Sequence, residues 1–288
     1  MPLKINQMSK GIFLLLAAEF CFALATVFTK FVTNNSSVTG VEATFFRFAL
    51  GLVLAIAIVY KEKTPMRPNN ISLLIWRGVL NTVAVILFFS AIQFTTVTNA
   101  NMLNMTYPVF IFLVAPFINK EKTQSSFYIF LTLSMIGAYL IIHPNFQHIN
   151  PGDILGLASG VVAAFSVISL RLARKQDSTA LILFYLMSIG FVLNFFAMLP
   201  FWVVPKGMVA VNLFIAALLG VIGQVFLTYG YKFITARSGS IVSSSRILFA
   251  ILFGIILLSE AITLRLIAGG ILITISLIGV SFFEKKKE

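Results

Sequence analysis

FTTVTNANMLNMTYPVFIFLVAPFINKE, residues 94–121, and FITARSGSIVSSSRILFAILFGIILLSE, residues 233–260, decide the architecture, because a shift of 139 positions lays one on the other without a gap. Phe94 then meets Phe233, Thr96 meets Thr235, Phe110 meets Phe249, Leu113 meets Leu252 and Glu121 meets Glu260. A second alignment, offset by 141, sets LLLAAEFCFALATVFTK (14–30) on LGLASGVVAAFSVISLR (155–171) and brings Lys30 onto Arg171. The chain therefore divides into two related halves, residues 1–145 and 146–288.

Each half carries five apolar runs. Working outward from the aligned pair, ten stretches approach the roughly 20 apolar residues that cross a hydrocarbon core: 10–32, 40–60, 71–94, 97–118, 125–143, 153–173, 179–202, 209–231, 238–258 and 263–283. Composition agrees, since 59% of the residues are hydrophobic and only 10% charged, with a mean hydropathy of +1.00; soluble domains do not reach these values. Lys4 and Lys10 precede a run that passes Ala23-Leu24-Ala25, a cleavage-like triplet. The run continues beyond it, contains Glu19 and has a counterpart in the second half, so it reads as a first span and not as a leader. Five is an odd number, so the second unit must enter the bilayer upside down relative to the first. The expected fold is an all-α polytopic membrane protein, ten transmembrane helices in two inverted five-helix repeats around a central cavity, which is the layout of secondary transporters.

The formal charge of +12 is a topology signal and not a nucleic-acid surface, because the basic residues lie between apolar runs. With both termini inside, 15 of the 21 lysines and arginines fall on the inner side. Lys30, Lys206 and Arg265 fall outside, and Arg47, Arg77 and Arg246 lie within spans. The positive-inside rule then gives a multi-pass protein of the cell (inner) membrane with cytoplasmic N- and C-termini. The lone cysteine, Cys21, has no partner for an intramolecular disulfide and reads as a small buried hydrophobe.

The ten-span layout, FFRF at 45–48, WRG at 76–78 and the glutamates Glu121 and Glu260 ending spans four and nine resemble the EamA type of the drug/metabolite transporter superfamily. That resemblance implies a compact bundle in which spans 1, 3, 4, 6, 8 and 9 surround the cavity and the others are peripheral. It says little about substrate.

Charges buried in a bilayer are costly and usually face the protein interior or water. Glu19 and Arg246 lie about 12–13 Å from the inner ends of spans one and nine at 1.5 Å per residue. Two readings stand: a permanent ion pair, or contacts to substrate and proton. Polar residues recur at helical spacing around them: Glu19, Ala23, Thr26 and Lys30 in span one; Asn104 and Tyr107, followed by Pro108, in span four; Gln224, Thr228 and Tyr231 in span eight; Gly239, Ser243 and Arg246 in span nine. The expected substrate-binding set is Glu19, Thr26, Asn104, Tyr107, Gln224, Thr228, Ser243 and Arg246. Arg47 reads as a structural charge organising the outer half of the bundle, and Arg77 as one snorkelling to the inner boundary. His143 and His148 read as loop residues, and most of the thirty phenylalanines as facing lipid and neighbours.

Enzyme signatures are missing: no phosphate-binding loop, no nucleophile elbow, no metal-spaced His/Cys/Asp cluster. No metal or cofactor is expected, and no enzymatic activity. One acid and one base at equal depth suit a zwitterion, so an amino acid or amino-acid derivative is the favoured substrate. Protons or a counter-substrate, and the lipid bilayer, are the other partners. The alternatives are a larger nucleoside-like or vitamin metabolite of adenosylmethionine or riboflavin type, or a non-transporting scaffold or receptor.

Overall fold

The computed structural model describes residues 2–119, 125–142, 150–258 and 263–285, and among these every regular element is helical. In order they are α1 (Pro2–Asn35), α2 (Gly40–Lys61), α3 (Ile71–Phe94), α4 (Val97–Asn104), α5 (Tyr107–Asn119), α6 (Ser125–Ile142), α7 (Pro151–Ala173), α8 (Thr179–Met198), a 3-10 turn (Leu199–Phe201), α9 (Gly207–Gly230), α10 (Ala236–Ser243), α11 (Ser245–Leu258) and α12 (Leu264–Lys285). Seven of the described segments are long and apolar enough to cross a bilayer unaided, from Gln7–Asn35 through Ala236–Leu257. Two further apolar stretches, Tyr128–Gly137 and Ile267–Ser276, lie in α6 and α12. Glu121, Glu260, His143 and His148 lie outside the described residues.

Polar residues at the ends of the apolar runs set where helices begin. Thr39 and Glu42 form a reciprocal capping box on α2, and Asn150 and Asp153 form another on α7. These satisfy donors that the first helical turn leaves free. Glu42 also accepts from Val203 N at 2.5 Å, tying the start of α2 to the segment that leads into α9.

Spans four and nine, each expected as one helix, are each two. Thr96 caps α4 by accepting from Asn99 N, and Thr235 caps α10 by accepting from Ser238 N. The fourth crossing then breaks at Met105 and Thr106, and the ninth at Ser244. Met105 and Ser244, like Thr96 and Thr235, are 139 positions apart. In the fourth crossing Pro108 explains the break: it lacks an N–H, and its ring would clash with the carbonyl of Asn104 in a continuous helix. Thr106 turns back instead, its N and Oγ1 both donating to the carbonyl of Leu103. The ninth crossing has no proline. There the break falls within Ser243, Ser244 and Ser245, three consecutive residues of modest helix propensity.

Packing follows the same exchange of halves. The first crossing packs mainly on the eighth (α1 on α9) and the third on the sixth (α3 on α7), while α2 meets α8 and α6 meets α12. The broken fourth crossing rests on α7 and the ninth on α1. Gly160 of α7 permits the first of these contacts. A Cβ there would stand 2.6 Å from Thr106 Oγ1, 2.9 Å from the carbonyl oxygen of Leu103 and 3.0 Å from that of Asn104. By the offset of 141, Gly160 is the counterpart of Glu19. One half thus brings backbone against backbone where the other places a carboxylate.

Candidate functional site

A cavity of about 80 Å³ lies where the halves meet. Thr26, Asn104, Tyr107, Gln224 and Arg246 from the expected set line it, together with Arg47 and Arg77. Glu19, Thr228 and Ser243 do not line it, but all three are fully buried. Small-molecule pockets span roughly 300–1,000 Å³, so this cavity is smaller than such a pocket.

The structure brings Glu19 and Arg246 together: Arg246 Nε donates to Glu19 Oε2 at 2.5 Å. The same guanidinium reaches from α11 to Asn104 Oδ1 at 3.3 Å, and Asn104 Nδ2 donates to Ser159 Oγ of α7 at 2.9 Å. Four helices are thus tied through one arginine. The ring of Phe22 adds a face, 4.7 Å from the Arg246 guanidinium carbon and 5.1 Å from that of Arg47. Tyr107 and Ser243 lie within electrostatic reach of the carboxylate. Among the described residues Glu19 Oε1, Ser243 Oγ and the Tyr231 hydroxyl have no hydrogen-bond partner, although all are buried.

On the other walls, Thr26 Oγ1 donates to the carbonyl of Ala23 at 2.6 Å and accepts from Asn101 Nδ2 at 3.1 Å. Gln224 Nε2 donates to Thr228 Oγ1 at 3.3 Å, and that hydroxyl donates to the Gln224 carbonyl at 2.8 Å. Thr228 therefore orients Gln224 from behind the wall.

Three placements differ from the sequence expectation. Arg77 does not snorkel: it is 1% exposed, and its Nη1 donates to the carbonyl of Ser166 at 2.9 Å and also to Ser166 Oγ. Depth along α3 puts it near the inner boundary, but its azimuth turns it onto α7, while the adjacent Trp76 is 61% exposed. Arg47 comes from the second span, which the family resemblance makes peripheral, yet it lines the cavity and donates from Nη2 to Gln224 Oε1 at 3.5 Å. Gly220 of α9 makes room for its stem, since a Cβ there would lie 2.9 Å from Arg47 Cδ. Lys30 continues the polar stripe of α1 but serves a helix end: Nζ donates to the carbonyls of Ile92 and Thr95 at 2.9 and 3.0 Å, closing the C-terminus of α3. Its aligned counterpart Arg171 does the same for α9, donating from Nη1 to the carbonyls of Tyr231 and Lys232 at 2.8 and 3.3 Å.

Asn81, Ser166, Phe22, Phe88 and Phe89 also line the cavity and were not among the expected site residues. Asn81 carries a readable signal. It lies four residues after Arg77, one helical turn on and on the same face.

A buried acid–base pair beside a cavity with polar side chains set in an apolar wall, in a bundle of membrane-crossing helices broken in both halves, defines a solute transporter. The model of the EamA-like transporter family matches twice, at residues 9–143 and 150–282. The chain belongs to that family, within the drug/metabolite transporter superfamily. It is similar to the pseudopaline exporter CntI of Pseudomonas aeruginosa, with 25% identity over 98% of this chain and 99% of that one. It is also similar to human solute carrier family 35 member G1, with 26% identity over 94% of this chain and 78% of that one. A third relative is the S-adenosylmethionine uptake transporter of Rickettsia felis, with 22% identity over 85% and 84% of the two chains. A solved crystal structure shares the fold with a TM-score of 0.77 at 16% identity, covering 98% of this chain and 99% of the other. The family and these relatives are transporters and not enzymes.

Proposed function

We propose that the protein is a secondary active transporter of a small organic metabolite, an amino acid or amino-acid derivative, working by alternating access. Two five-helix repeats, residues 1–145 and 146–288, of inverted orientation, rock about the site between them. The observation that carries this reading is the Glu19–Arg246 pair at 2.5 Å beside a cavity that both halves line. An acid and a base held together at the site are matched to the ammonium and carboxylate of a zwitterion, which would separate them on binding. Asn104, Tyr107 and Gln224 set its orientation from the cavity wall, with Thr26 on the facing helix and Thr228 and Ser243 behind. Glu19 also gives protons a place in the cycle, with exchange against a counter-substrate as the other mode. The names of the relatives include an exporter and an uptake transporter, so direction follows gradients and not the scaffold.

Reconstituted liposomes preloaded with a mixture of amino acids are expected to accumulate the same labelled amino acids by counterflow, well above liposomes without protein. Absence of both counterflow and binding across amino acids, nucleosides and vitamins would make the protein a scaffold or receptor.

The same reading places the chain in the cell (inner) membrane with cytoplasmic termini, on the strength of the charge asymmetry. In a Cys21→Ser background, a cysteine at exposed Ser37 is expected to react with an impermeant thiol reagent added to intact cells, and one at exposed Lys63 is not. The reverse labelling pattern would invert the topology.

A further inference from the structure

We infer that the cavity selects a solute with at least two carboxylates, the one that Arg246 matches as part of the zwitterion and a further one held between Arg77 and Arg47. This deepens the proposed transport of amino-acid derivatives and rests on it.

The reasoning starts from charge. Three guanidiniums reach the site, and among the described residues the acid paired with any of them is Glu19, which holds Arg246. Glu42, the other glutamate buried among the helices, is spent on the cap of α2 and on Val203 N. Arg47 and Arg77 therefore bring two uncompensated positive charges to one small cavity, near enough that Arg47 senses both Arg77 and Arg246. Like charges gathered in a medium of low polarity are expensive. An anionic solute relieves that cost.

Hydrogen-bonding geometry sharpens the point. Arg77 spends Nη1 on Ser166, and its Nε and Nη2 have no partner among the described residues. Those two atoms form one edge of the planar guanidinium, the fork that grips a carboxylate with two parallel hydrogen bonds. Arg47 shows the same edge nearly free: Nε has no partner, and Nη2 makes only the 3.5 Å contact to Gln224. Asn81, one turn from Arg77, adds an unpartnered Nδ2. All three side chains are more than nine-tenths buried. What they leave open is a set of donors without acceptors, and carboxylates are acceptors only.

Glutamine and glutamate provide the test, since they match in size and differ by one carboxylate. Tricarballylate adds a third carboxylate without an amine, and lysine reverses the charge. Titrating the full-length protein in nanodiscs of neutral lipid, followed by intrinsic fluorescence and thermal shift, is expected to show glutamate binding at least tenfold more tightly than glutamine. Tricarballylate should also exceed glutamine, and lysine should be weakest. Arg77→Gln is expected to shrink the glutamate advantage below threefold, whereas Arg77→Lys, which keeps the charge but loses the fork, retains part of it. The wild-type ladder stands without either variant. Equal affinity for glutamine and glutamate, or a preference for lysine, would overturn the dicarboxylate inference and leave amino-acid transport intact. Absence of binding by all four probes would overturn the inference, and only a matching absence of counterflow with the broader amino-acid mixture would remove the transport reading too.

Discussion

Replacing Glu19 by Gln, or Arg246 by Gln, is expected to cut the yield of folded protein sharply, and replacing both together to restore it without restoring transport. Each single substitution strands the other charge in a site where Glu19 is fully buried and Arg246 nearly so. Breaking one side of a buried pair costs about 3–5 kcal/mol, whereas exchanging both partners for neutral groups is often tolerated. A Gln at each position can donate and accept across the same gap, and one at 246 can still donate to Asn104 Oδ1. Detergent-solubilised yield by size-exclusion chromatography reads the first effect, and counterflow reads the second. Wild-type flux in the double variant would reduce the pair to a structural tie. In whatever flux survives Glu19→Gln, dependence on a pH gradient is expected to vanish, because the group that would exchange the proton is gone; a persisting gradient response would assign the proton elsewhere.

The second large effect concerns Lys30 and Arg171. Each closes a helix C-terminus with charge-assisted hydrogen bonds, worth about 1.5–3 kcal/mol apiece, and each sits on the opposite side of the bundle from the other under the proposed topology. Lys30→Met is expected to loosen the outer ends of the first and third crossings, and Arg171→Met the inner ends of the sixth and eighth. A cysteine at Asn81, probed by an impermeant reagent from outside, should then react several-fold faster in the Lys30→Met background and more slowly with Arg171→Met. Movement in the same direction for both variants, or in neither, would deny the two cations opposed roles in gating.

Much of the architecture could be read from apolar run lengths, because a bilayer leaves the backbone few ways to satisfy its hydrogen bonds. The positions of the helix breaks were half legible. Pro108 announces the first, but the matching break at Ser244 has no proline and follows from three consecutive serines whose effect depends on context. The site was legible in depth throughout, and in azimuth where polar residues form a stripe at helical spacing, as Thr26, Asn104, Gln224 and Arg246 do. Glu19 and Arg246 could be matched by counting residues from helix ends, and they meet. The same counting misplaced Arg77, since which face of α3 turns inward is decided by its packing on α7, and Trp76 and Arg77 are neighbours in sequence with opposite exposures. Arg47 was hidden for another reason: its reach into the cavity depends on a missing side chain, at Gly220, on a different helix.

The breaks at Met105 and Ser244 also have a mechanical consequence. Each divides its crossing into a short stub of 8 residues and a longer arm of 13 or 14 residues. An arm of that length is about 20 Å long, so swinging it by about 15° at the break carries its far end by about 5 Å while the stub stays in place. Under the proposed alternating access, the interior would be opened to one face by two levers pivoting beside the solute, with far less lipid displaced than by tilting an unbroken α1. On that proposal, stiffening either pivot is expected to slow the stroke.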